Sequence, residues 1–69
     1  NTFTIKVWLE NSGAVIVHEN AVGYQKGDLY CVFETEYGVV YKYPVAHIWR
    51  TEEGYPESMR RHPVKENES

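Results

Sequence analysis

From Phe3 to Glu10 the side chains alternate without interruption, with Phe3, Ile5, Val7 and Leu9 on one side and Thr4, Lys6, Trp8 and Glu10 on the other. A period of two puts these sets on opposite faces of an extended chain, and an amphipathic helix, with its period of about 3.6, does not produce it. Trp8 is the one large apolar side chain on the face that otherwise reads as wet. The rest of the chain is cut into equally short pieces. Asn11-Ser12-Gly13, Lys26-Gly27-Asp28 and Glu36-Tyr37-Gly38 are tight-turn sequences, and the glycines supply the backbone freedom such turns require. Parallel sheets need crossover connections of a dozen or more residues, so this punctuation points to strands joined by hairpins.

Read this way, strands are expected over 3–10, 14–19, 21–25, 29–35, 39–43 and 47–52. In the second of these, Val15 and Val17 share a face with Glu19, while Ala14 and Ile16 share one with His18. A strand apolar on both faces belongs in the middle of a sheet. In the fourth, Leu29, Cys31 and Phe33 share a face against Tyr30, Val32 and Glu34. Pro44 cannot donate to a ladder and ends the fifth, and Val45-Ala46 forms one tight turn before the last. The core is expected to hold Phe3, Ile5, Val7, Leu29, Cys31, Phe33 and Ile48.

With only 69 residues there is one domain to build. The fold class is all-β: a small antiparallel barrel or rolled sheet of five to six strands, in the SH3-like or OB-like size class, over residues 1–53. Closing the sheet would also remove the exposed edges through which an aromatic-rich chain could pair with itself. Residues 54–69 lose the alternation and read as a polar C-terminal tail, in which Pro56 and Pro63 frame at most one helical turn. A single cysteine, Cys31, excludes an internal disulfide framework and a multi-thiolate metal site, so stability comes from packing.

Residues 1–53 carry Lys6, Lys26, Lys42 and Arg50 against seven carboxylates. Nucleic acids are bound largely through clustered cations, which this stretch does not supply. No run approaches the roughly 20 apolar residues of a membrane span. The opening residues show no basic-then-apolar leader pattern, and a lone thiol suits a reducing compartment, so the expected location is the cytoplasm.

The chemistry-bearing side chains do not form a recognisable motif. Cys31 with His18, His47 or His62 is the only combination of nucleophile and base, and its position between Leu29 and Phe33 is that of a small core hydrophobe. No cysteine and histidine have the local spacing of a zinc site, and no nucleotide-binding loop is present, so no cofactor is expected. Glu34 with Glu36 and Glu52 with Glu53 are the carboxylate pairs. A glycosidase-like pair must face across a cleft, which a chain this short rarely encloses.

Trp8, Tyr24, Tyr30, Tyr37, Tyr41, Tyr43, Trp49 and Tyr55 are more aromatic side chains with polar tips than so small a core can satisfy. Some therefore stand at the surface, where Trp and Tyr anchor interfaces. A partner-binding face is expected to use Trp8 or Trp49 with Tyr41 and Tyr43 beside it, and Glu10 and Glu52 on its rim. The partner would be a protein, of basic character, or a second copy of the chain; homodimerisation would use sheet edges. The alternatives are an OB-like single-stranded nucleic-acid binder, an acidic mimic of nucleic acid, and, less well supported, a cysteine-dependent enzyme.

The stretch Tyr24-Gln25-Lys26-Gly27-Asp28-Leu29-Tyr30-Cys31-Val32-Phe33, followed by Val39-Val40-Tyr41-Lys42-Tyr43-Pro44-Val45-Ala46-His47-Ile48-Trp49, has a recurring layout. A strand leads to a Gly-Asp turn, a hairpin, then aromatic-Pro-aliphatic-x-x-Ile and a last strand. Over residues 3 to 53 this resembles the small all-β proteins encoded by bacteriophages and mobile elements. The resemblance implies a non-enzymatic modulator or inhibitor of one protein, acting in the host cytoplasm, and carries over no site residues.

Overall fold

The structure, a computed structural model, describes residues 1–56. Five strands form one antiparallel sheet: β1 (Phe3–Leu9), β2 (Val15–Lys26), β3 (Leu29–Glu34), β4 (Val39–Pro44) and β5 (Ile48–Gly54). A single 3-10 turn, η1 (Val45–His47), separates β4 from β5. The strand order is β4-β3-β2-β1-β5, with β2 in the middle. Its doubly apolar segment is nevertheless not flanked on both edges, which corrects the expectation: residues 15–18 pair with β1 alone, β3 pairs with residues 21–26, and Val15 and Val17 are exposed.

The expected break at Asn20 is absent. β2 is one strand of 12 residues that bulges there: the register with β1 shifts between Phe3↔Ala21 and Ile5↔His18, and Asn20 takes a φ of 52°. Asparagine is among the few residues that tolerate this left-handed conformation, so the chain bends without ending the strand. Two bonds hold the bend, because the Thr35 backbone N–H and hydroxyl both donate to the Asn20 carbonyl, each at 3.0 Å. Thr4 secures the other side, its hydroxyl donating to Glu19 at 2.7 Å.

The strand order and the length of η1 together force the sheet to roll. β4 and β5 lie at opposite edges, four inter-strand spacings or roughly 19 Å apart if the sheet were flat. Three 3-10 residues advance the chain only about 6 Å. The edges must therefore curl toward each other around an interior face, although β4 and β5 do not pair and the sheet stays open. Backbone bonds fix η1 at both ends: the Val45 N–H donates to the Asp28 carbonyl and the Glu10 N–H to the His47 carbonyl, both at 2.9 Å.

Ile5, Val7, Ala21 and Val32 fill the interior, with Phe3, Leu9, Ile16, Tyr30, Tyr43 and Ile48 packed around them. This corrects the expected core on β3. The interior face of that strand is Tyr30-Val32-Glu34, and Leu29, Cys31 and Phe33 face outward. Leu29 is 36% exposed, and Phe3, Phe33 and Ile48 are half-buried. Cys31 is buried as expected, but on the outer side, where its register partners are Tyr24 and Lys42. Packed chain runs past residue 53: Gly54 belongs to β5, the Tyr55 ring stacks on Phe3 at 6.3 Å, and Pro56 is buried. The helical turn expected within 57–62 lies outside the described residues.

Candidate functional site

At the end of the roll where the β1–β2 turn meets η1, two shallow cavities share Leu9, Glu10 and Ser12. On one side a cavity of about 400 Å³ adds Tyr43, Pro44 and His47. On the other, one of about 310 Å³ adds Trp8, Gly13 and Trp49. The local sequence explains the arrangement. Leu9 is the last residue of β1, and the turn that follows carries Glu10 over the end of the core, where η1 anchors its backbone. At the β1–β5 pair the register shifts between Trp8↔Arg50 and Leu9↔Ile48, leaving Trp49 as the extra residue with 64% of its surface exposed.

Arg50 lies between the two indoles. Its guanidinium is 4.6 Å from the Trp8 ring and 5.9 Å from the Trp49 ring, and it also pairs with Glu52. Sequence reading missed this residue, although its place opposite Trp8 and next to Trp49 was open to inspection once β1 and β5 were paired. The Arg50–Glu52 pair offsets its own charge, while Glu10 forms no ion pair among the described residues. The end of the roll thus presents two indoles, a tyrosine and a proline around one uncompensated carboxylate.

The expected site residues divide accordingly. Trp8, Trp49, Glu10 and Tyr43 line these two cavities. Tyr41 lines neither: it is on β4, with its ring 4.8 Å from that of His18. Glu52 lines a separate depression with Thr4, Lys6 and Glu53.

His18 has an internal role that the sequence did not disclose. Only 2% exposed, it lies between Glu34 Oε2, 2.6 Å from Nδ1, and Tyr43 Oη, 2.8 Å from Nε2. A carboxylate only accepts, so in the neutral imidazole Nδ1–H donates to Glu34 and Nε2 accepts from the Tyr43 hydroxyl. The order carboxylate, imidazole, hydroxyl resembles that of an activated nucleophile, but the electrostatics oppose one. Burial, then Tyr41, then Glu34 raise the Tyr43 pKa above its ordinary value of 10.0, so the phenol is held protonated. The chain of bonds ties β2, β3 and β4 together across the interior.

The other combinations are separated by the fold. Cys31 faces outward on β3 while His18 faces inward, His47 is in η1, and His62 lies outside the described residues. Glu34 faces the interior and Glu36 stands in the exposed β3–β4 turn. Glu52 and Glu53, adjacent in a strand, face opposite sides. Among the described residues no three side chains of His, Cys, Asp or Glu converge as a metal site would require. No described helix is long and apolar enough to cross a membrane. Comparison with family models, with characterised proteins and with solved structures finds no match.

Proposed function

We propose that the chain is a non-enzymatic protein-binding module, and that the end of the roll formed by Trp8, Trp49, Glu10 and Tyr43 is its binding face. One observation carries this reading: the two cavities are contiguous through Leu9, Glu10 and Ser12, so exposed aromatic surface and an unpaired carboxylate form one concave strip. Large, stiff aromatic side chains bury much area at little entropic cost, which suits them to anchor a partner. The carboxylate favours a partner with basic character and adds a salt-sensitive contribution to the rate of encounter. Modulation of a single host protein, as the resemblance to phage-encoded proteins implies, is the biological role proposed for such a module.

The test is capture of partners from lysate with wild type, Trp49→Ala and Trp8→Ala side by side, after each variant is shown to retain its β-sheet circular dichroism. Loss of the same specific partner in both variants is expected, with weaker capture as salt rises. Recovery of an unchanged partner set by both folded variants would falsify the reading.

A further inference from the structure

The two edges of the sheet are unequal. β5 carries Arg50, Glu52 and Glu53 in seven residues, the kind of charge that keeps an edge from pairing with another chain. β4 has only Lys42, and its proline comes at the last position. Val39, Val40 and Tyr41 follow one another along this edge with 41%, 38% and 41% of their surfaces exposed. Successive residues of a strand face opposite ways, so the edge is apolar on both of its faces. On the outside Val40 continues the row Val22–Phe33, and on the inside Tyr41 continues the row Gly23–Val32.

We infer that β4 is a self-association edge, pairing antiparallel with β4 of a second copy about a two-fold axis at Val40. A strand added here meets apolar rows on both faces and must itself be apolar on both; β4 satisfies that requirement, with Val39, Val40, Tyr41 and Tyr43. Charge fixes the register. With Val40 on the axis, Tyr41 faces Val39 of the other copy and Lys42 faces its Gly38, beside the exposed turn that carries Glu36. Each Lys42 ammonium then lies within side-chain reach of an opposite charge, and the two lysines do not face each other. Neither Lys42 nor Glu36 has an ion-pair partner among the described residues of its own chain. The pairing closes on itself, giving a dimer whose sheets join edge to edge rather than a filament.

Sedimentation velocity of the full chain over a dilution series tests this. A dimer that dissociates on dilution is expected, and Val40→Lys should weaken it by about tenfold or more. Because Val40 is partly buried, the exposed pair provides a second measure: Lys42→Glu should weaken the dimer, and Lys42→Glu with Glu36→Lys should restore it. Val40→Cys should form a disulfide-linked dimer on mild oxidation, whereas Val15→Cys, on the exposed outer face of β2, should not. A monomer at every concentration, equal weakening in the single and double charge variants, or equal cross-linking at positions 15 and 40 would each overturn the inference.

Discussion

The phenol oxygen of Tyr43 on β4 is hydrogen-bonded to Nε2 of His18 on β2 at 2.8 Å, across an intervening strand. Glu34 on that intervening strand accepts from the other ring nitrogen, so three side chains connect three strands inside the roll. Removing the ring leaves a carboxylate, 14% exposed, without its donor. His18→Ala is therefore expected to cost about 3 kcal/mol, the scale for stranding a buried charge-assisted partner. Glu34→Gln keeps an acceptor at the same place and should cost about 1 kcal/mol. Urea unfolding of the two variants measures the difference.

Alkaline pH should unfold the protein through its tyrosines. Tyr43 is raised by burial, Tyr41 and Glu34, and Tyr30 by burial and then Glu53. A phenol whose folded pKa exceeds its unfolded value contributes stability that is complete below the unfolded value of 10.0 and is lost as pH rises through the folded one. Stability should thus fall above pH 10, and phenolate absorbance should show a fraction of the tyrosines titrating late. Tyr43→Phe, although less stable at neutral pH, should lose less stability over that alkaline range than wild type.

Gly23 is constrained by a neighbour rather than by its own backbone. A Cβ placed there would lie 2.2 Å from the Tyr30 hydroxyl and 3.1 Å from Ile5 Cδ1, both in the core. Gly23→Ala is expected to cost about 2 kcal/mol, within the range for overpacking. The hydroxyl is the closest obstacle, so the same change in Tyr30→Phe should cost less, and a double-mutant cycle on thermal unfolding reads the coupling.

Cys31 should react with a disulfide-exchange reagent only as fast as the sheet opens, because its thiol is buried. Cys31→Ser should act through stability alone, by about 1 to 2 kcal/mol, and leave partner capture unchanged once folding is matched. Capture lost in a folded Cys31→Ser protein would instead support chemistry at the thiol.

The fold class was legible because the alternation of β1 and the turn glycines act locally, and each strand but one starts and ends within two residues of its sequence signal. The exception is instructive. The sequence predicts a break at Asn20, since a positive φ in mid-strand leaves no trace in hydrophobic periodicity. The interior face of β3 differs from the sequence expectation for a related reason: both of its faces are apolar, so only pairing with β2 decides which is interior. At the candidate site the aromatic surplus pointed to Trp8, Trp49 and Tyr43. Arg50 and His18 stayed hidden because their roles depend on cross-strand partners: Trp8 for Arg50, and Glu34 and Tyr43 for His18.

The pairing of the first strand with the last also sets the order in which the sheet can be completed. β1, β2, β3 and β4 pair with sequence neighbours through short connections, whereas the second edge of β1 must wait for β5, about 40 to 50 residues downstream. Until the chain reaches Gly54, the β1 edge that carries Ile5 and Val7 lacks its β5 partner. The last strand is therefore the one that completes the sheet, and without it the β1 edge stands open beside the core.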